Sequence, residues 1–160
     1  MPVTIRALEL RDAEAVAELA AQFAAYLLDL GDNSEHNLTA GAIRRDGFGP
    51  RPAFAGLVAS SKDGAQAGAV IGYLLYHLGY DADRAARNLH VIDLYVSAPA
   101  RRLGTGRALM AAAARICRDA GGAYLFWAVY IPNPLATAFY TALGARYVQD
   151  LDFMALGVDS

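Results

Sequence analysis

The sequence predicts an α/β domain, and three stretches carry that expectation. Leu89 to Val96 is an apolar strand-like run, Arg107 to Ala120 is an alanine-rich helical run, and Tyr124 to Ile131 is a continuous apolar run. A strand covered on both faces reads this way, and the strand, helix, strand order sets the two runs parallel in one sheet. Ala111, Ala112, Ala113 and Ala114 let the crossover helix lie close to that sheet.

The remaining elements follow in order. Val3 to Ala7 is a short strand. Asp12 is a helix cap, and Val16, Leu19, Ala20, Phe23, Leu27 and Leu30 keep the spacing of one helical face until Gly31 ends it. Asp32 to Arg45 reads as a second, shorter helix, and Asp46 to Pro52 as a loop by its glycines and prolines. Phe54 to Ala59 and Ala69 to Leu78 read as strands joined by the turn Ser60 to Gly64, and Gly79 to Asn88 as a loop leading into the Leu89 strand. Near the end, Asn133 caps a helix with Pro134 at its first position and Gly144 at its far end. One or two final strands fall within Ala145 to Leu156. No repeat or linker divides the chain, so residues 1–160 read as a single domain.

Composition narrows the function classes. A chain of 160 residues buries about 70% of its unfolded surface, enough for an independent core. Hydrophobic residues at 56% and charged residues at 19% argue against disorder. A net charge of −2 supplies no general basic field for nucleic acid or an anionic membrane. No run reaches the roughly 18 apolar residues of a membrane span, and the N-terminus reads as mature sequence, so the expected location is cytoplasmic. Cys117 is the single cysteine, which excludes an intramolecular disulfide and a cysteine-rich metal site. No metal is expected.

The most chemically specific stretch is Arg101-Arg102-Leu103-Gly104-Thr105-Gly106, set between the Leu89 strand and the Arg107 helix. Glycines let a backbone approach a ligand closely, and the first turn of a helix presents N–H groups that lack intrahelical partners. Two arginines add positive charge, so a phosphate or pyrophosphate is the natural guest. Two common phosphate loops fail the spacing test. A dinucleotide fingerprint needs a third glycine where this chain has Leu109, and an acidic residue where it has Tyr124 to Ile131. A P-loop needs Gly-Lys followed by Ser or Thr, and no lysine stands nearby.

The surviving pattern, Arg-x-x-Gly-x-Gly after a strand ending Asp93-Leu94-Tyr95-Val96, resembles the acyl-CoA loop of the GNAT family of N-acetyltransferases. A second motif agrees with it: Asn133, then a helix, then Phe139-Tyr140-Thr141-Ala142-Leu143-Gly144, which is similar to that family's Asn, helix, Phe-Tyr-x-x-Leu-Gly signature. Two motifs in the right order are far more specific than either alone. The resemblance runs from Ile5 to about Met154 and is strongest from Val91 to Ala145. It implies a mixed, mostly antiparallel sheet of six or seven strands flanked by about four helices, with a parallel strand pair splayed at the CoA cleft.

The resemblance also implies a reaction, attack of an amine on the thioester of acetyl-CoA in a ternary complex, and the residues can be asked for each requirement. The CoA pyrophosphate falls to the backbone N–H groups of Arg102, Leu103, Gly104, Thr105, Gly106 and Arg107, assisted by Arg101 or Arg102. Backbone donors of Leu94, Tyr95 and Val96 match the family's oxyanion-stabilising segment. Tyr140 aligns with the tyrosine that hydrogen-bonds the CoA sulfur as general acid. Asn133 adds to its cap a contact with the pantetheine arm. An acceptor amine with a pKa of about 10.4 is only about 0.04% neutral at pH 7, a penalty of about 4.6 kcal/mol, so a base helps. The family's strand glutamate is replaced here by Ile92, which leaves Asp93 as the candidate base, with His90 and His77 behind it.

Asp29, Asp32 and Glu35 lie where the family begins its acceptor site, although a solvated helix end explains them as well. Trp127-x-Val129 and the Gly79 to Asn88 segment lean toward the diamine and polyamine branch, whereas Ile131 and Pro132 replace the Asp and Trp common there. The expected acceptor is a small-molecule amine such as a polyamine, amino acid or amine drug. Protein lysine or N-terminal acetylation is a variant within the same class. The main rival is a non-enzymatic acyl-CoA-binding sensor, which Ile92 favours. The family resemblance also leaves a homodimer open.

Overall fold

The computed structural model describes residues 3–64 and 67–158. The chain divides into two compact units, Met1–Ala128 and Val129–Ser160. The first holds strands β1 (Val3–Ala7), β2 (Ala55–Ser61), β3 (Val70–Asp81), β4 (Ala86–Val96) and β5 (Gly122–Phe126), with helices α1 (Ala13–Asp29), α2 (Ala40–Phe48) and α3 (Thr105–Asp119). The second holds α4 (Pro134–Ala142). Among the described residues no helix is long and apolar enough to cross a membrane.

The five strands form one sheet in chain order. The β1–β2, β2–β3 and β3–β4 pairings are antiparallel, and β4–β5 is parallel. The expected mixed, mostly antiparallel sheet is therefore present, with α3 as the crossover that a parallel pair requires. It has five strands among the described residues, where six or seven were expected. The difference lies at residues 145–158, which form no strand. No other strand is described within that second unit to give such a segment a ladder, and Leu151, Phe153, Met154 and Leu156 stay exposed.

Each face of the sheet is covered by helix. Val16 and Leu19 of α1 and Ile43 of α2 join Val58, Tyr73, Leu75 and Tyr95 in one buried cluster. On the other face α3 packs its buried Leu109, Met110, Ala113 and Cys117 against β3, β4 and β5. A fully buried side chain of leucine size contributes about 1.5–3 kcal/mol, so these faces hold the sheet and its helices together.

Local chemistry explains the departures from the expected boundaries. The segment expected to be helical from Asp32 turns helical only at Ala40. Asp32 Oδ1 accepts from the backbone N–H and hydroxyl of Ser34 (2.9 and 2.6 Å), a local turn that competes with helix. Thr39 then supplies the cap, its Oγ1 accepting from Ala42 N–H at 3.1 Å. Asp12 precedes α1 but does not cap it with its side chain. Its carboxylate instead accepts from Glu9 N–H (2.8 Å) and from both terminal nitrogens of Arg6 (2.7 and 2.8 Å).

The expected loop from Gly79 to Asn88 is mostly strand, because β3 and β4 extend to a hairpin at Asp81 and Ala86. Asp81 accepts from Arg84 N–H (3.1 Å) and from the Tyr124 hydroxyl (2.5 Å), which ties the hairpin to β5. The strand expected from Tyr124 to Ile131 begins at Gly122 and ends at Phe126, the last residue paired with β4.

Candidate active site

The site begins where β4 and β5 part. Their ladder ends at the rung His90–Phe126, whereas β4 continues to Val96. Backbone groups alternate in direction along a strand, so beyond His90 part of the β4 backbone faces an edge that β5 has left. Leu94, Tyr95 and Val96 lie in that stretch. This is the splayed parallel pair that the resemblance implies.

The chain then enters the glycine turn. Arg102 and Gly104 are left-handed, with φ of 62° and 84°. The left-handed region is costly for arginine and free for glycine. Gly104 followed by helical Thr105 is the backbone pairing that gathers successive N–H groups into an anion-sized concavity. No heavy atom lies within 4 Å of where a Cβ on Gly104 would stand, so the turn is open to a guest there. The first intrahelical bond here runs from Ala108 N–H to Gly104 O (2.9 Å), leaving the N–H groups of Thr105, Gly106 and Arg107 ahead of the helical ladder. Buried Thr105 donates its hydroxyl to Ala100 O at 3.3 Å and fixes the turn from beneath.

The two arginines of this turn differ. Arg102 and Leu103 are exposed. Arg101 is half-buried: its Nε donates to Val96 O at 3.0 Å, and its guanidinium carbon stands 5.2 Å from the ring centres of both Tyr26 and Tyr95. Arg101 is thus turned back onto α1 and β4.

Asp93 occupies the sheet face that α1 and α2 cover. It stands opposite Leu75, and the Tyr73 hydroxyl donates to its Oδ2 at 2.6 Å. Burial pushes the Asp93 carboxyl above the ordinary carboxylate range, while the Tyr73 hydroxyl, the Leu94 N–H and the charge of His36 pull it back. Burial, reinforced by the neighbouring carboxylate, raises the Tyr73 phenol, so it remains a proton donor in this contact. Sequence reasoning missed Tyr73, which is 20 residues away in sequence and lies one strand over. It also missed His36, whose one visible signal was its place among the acids Asp32 and Glu35. His36 Nε2 lies 3.6 Å from Asp32 Oδ2.

His77 and His90 face each other across β3 and β4, with His77 Nε2 3.0 Å from His90 Nδ1. His90 also stacks on Phe126 at 4.7 Å. Burial, followed by the neighbouring imidazole, lowers the His90 pKa, which favours neutral imidazole there. A bulge at Ile92, which has no partner between the rungs Leu75–Asp93 and Tyr76–Val91, brings His90 and Asp93 to the same face.

In the second unit Asn133 caps α4, its Oδ1 accepting from Ala136 N–H at 3.1 Å, and Pro134 takes the first helical position. Tyr140 lies in the last turn of α4 beside Phe139, their ring centres 5.1 Å apart. Its carbonyl accepts from Ala145 N–H at 3.1 Å, and Gly144 takes the expected left-handed conformation with φ of 90°.

Known proteins are similar to this chain in sequence or in fold. Thialysine N-epsilon-acetyltransferase of Bos taurus is 36% identical over 108 residues, covering 66% of this chain and 63% of that protein. Spermidine/spermine N(1)-acetyltransferase-like protein 1 of Homo sapiens is 29% identical over 110 residues, covering 68% of this chain and 16% of that protein. The matched region thus spans under two thirds of the length of these curated relatives. An integron cassette protein from the mobile metagenome of V. cholerae shares the fold with a TM-score of 0.78 at 20% identity, covering 99% of this chain and 94% of that one. The sequence model of the acetyltransferase (GNAT) family matches residues 14–145, and with the splayed β4–β5 pair and the glycine turn after it, the chain belongs to that family.

Proposed function

We propose that the protein transfers the acetyl group of acetyl-CoA to the amine of a small molecule. The observation that carries this reading is the departure of β4 from β5 beyond His90, immediately before the turn at residues 101–107. A thioester arm laid along β4 beyond its last rung with β5 meets backbone donors from Leu94 to Val96, while its pyrophosphate meets the N–H groups of residues 102–107 with Arg102 beside them. Metal is not required by this chemistry.

The amine nitrogen attacks the thioester carbonyl carbon, the carbonyl oxygen takes the negative charge, and the C–S bond then breaks. Preorganised N–H donors at the oxyanion contribute about 3–4 kcal/mol in comparable sites. Asp93 takes the amine proton. Tyr140 hydrogen-bonds the departing thiolate, a role that rests on its place in the Phe-Tyr-x-x-Leu-Gly motif. A phenol near 10 and a thiol near 8.5 make full proton transfer uphill by about 2 kcal/mol, so the hydrogen bond precedes a late proton. The names of the two curated relatives support an amine on a flexible aliphatic chain as the acceptor.

Calorimetry with acetyl-CoA and thiol release against a panel of polyamines, amino acids and peptides test this reading. Micromolar acetyl-CoA binding with thiol release for an alkylamine is expected, and Tyr140→Phe should lose turnover while keeping CoA affinity. Absence of acetyl-CoA binding would remove the reading. Tight binding without thiol release for any acceptor would favour an acyl-CoA sensor, the alternative raised by Ile92 at the glutamate position.

A further inference from the structure

We infer that Arg101 is a positioning residue for the acceptor side of the site and not a ligand of the CoA phosphates. The inference rests on the acetyl-transfer reading above. Its starting point is a conflict between charge and contact: Arg101 belongs by sequence to an anion turn, yet its guanidinium is engaged elsewhere.

Three contacts hold it. Its Nε–H donates to the carbonyl of Val96, the last residue of β4, at 3.0 Å. Its guanidinium carbon stands over the rings of Tyr26 of α1 and Tyr95 of β4, 5.2 Å from each ring centre. One turn earlier on α1, Phe23 stacks on the same Tyr95 at 5.2 Å with an interplanar angle of 24°. Phe23 and Tyr26 are three apart, so they share a helix face, and Arg101 closes a row that seats α1 on β4.

The row continues to the candidate base. Tyr95 stands opposite Tyr73, and the Tyr73 hydroxyl holds Asp93 Oδ2. Loosening Arg101 therefore disturbs Tyr95, then the Tyr73–Asp93 contact, on the face covered by α1 and α2. The pyrophosphate cradle keeps its backbone donors, its left-handed Gly104 and Arg102.

Guanidinium chemistry suits this task. It is charged at all working pH values, stacks on aromatic faces, and keeps an N–H on Nε for the carbonyl. Lysine preserves the charge but offers neither the plane nor the fixed fork, which separates a bracing role from an electrostatic one.

The test compares Arg101→Lys, Arg101→Met and Arg102→Gln by calorimetric acetyl-CoA affinity, acceptor KM at saturating acetyl-CoA, and NMR ring resonances of Tyr26 and Tyr95. Both Arg101 variants should raise acceptor KM about tenfold and leave acetyl-CoA affinity within about twofold, because the lost contacts are cation–π and carbonyl contacts. Arg102→Gln should weaken acetyl-CoA binding. Arg101→Lys should also shift the Tyr26 and Tyr95 resonances in the free protein, a readout that stands even if the wild type binds no acetyl-CoA and the functional reading falls. Wild-type acceptor KM in Arg101→Lys, loss of acetyl-CoA affinity in Arg101→Met equal to that in Arg102→Gln, or unmoved ring resonances would each overturn the inference. Should Arg101→Met not fold, Arg101→Lys carries the comparison.

Discussion

At the scale of single residues, Asp93, the proposed base, is where burial and hydrogen bonding oppose each other. Burial raises its carboxyl, and Tyr73 opposes that rise by donating to the charged form. In the proposed role Asp93 must be ionised, so the lower limb of kcat/KM against pH should lie above the ordinary carboxylate value of about 3.9. Tyr73→Phe removes a bond that favours the anion, so the limb should move to higher pH. Asp93→Asn should eliminate it, and an unchanged pH profile in that variant would remove Asp93 as the base. The motifs pointed to the turn, and Asp93 entered only as the substitute beside Ile92 at the glutamate position, whereas Tyr73 was hidden because its partnership depends on ladder register. Arg101 was legible as a charge but not as a contact, since nothing local reveals that its guanidinium stands over rings from α1 and β4.

Among the elements, those read most closely have strong local signals. Strand β1 matches its expected limits, and α1 and α3 lie within two residues of theirs. The late start of α2 and the long β3–β4 hairpin were less legible, because both depend on side chains that make local turns, Asp32 with Ser34 and Asp81 with Arg84. The α3–β5 junction shows how closely the crossover is fitted. A Cβ on Gly122 would meet Cys117 Sγ and stand 2.9 Å from the Cys117 carbonyl oxygen. Gly122→Ala should therefore destabilise the fold by about 1–3 kcal/mol through overpacking. A denaturant midpoint equal to wild type would show that the junction yields more easily than its contacts suggest.

For the whole molecule, one contribution to stability against acid is the clamp between Arg6 and Asp12, which joins edge strand β1 to the start of α1. Asp12 is buried, and its pairing with Arg6, aided by Glu9 N–H, lowers its pKa against the cost of burial. A lowered carboxyl stabilises the fold above its unfolded value of about 3.9, and that contribution is lost as pH falls through the folded value. Asp12→Asn should cost about 2 kcal/mol at pH 7, since one partner of the pair is buried and the other partly exposed. Its deficit should shrink below about pH 3.9. A constant deficit across that range in denaturant titrations would assign the loss to packing.

The unpaired Ile92 changes the parity of β4 part-way along the strand. Residues before it and residues after it count odd and even differently, which is how His90 and Asp93, three positions apart, come to share one side. Deleting Ile92 would restore simple alternation and set the two halves of β4 at odds: either the histidine or the carboxylate would have to cross to the α3 side. A single backbone insertion thus works as a phase shifter, allowing the chemistry of a strand to be re-addressed from one face to the other without changing any functional side chain.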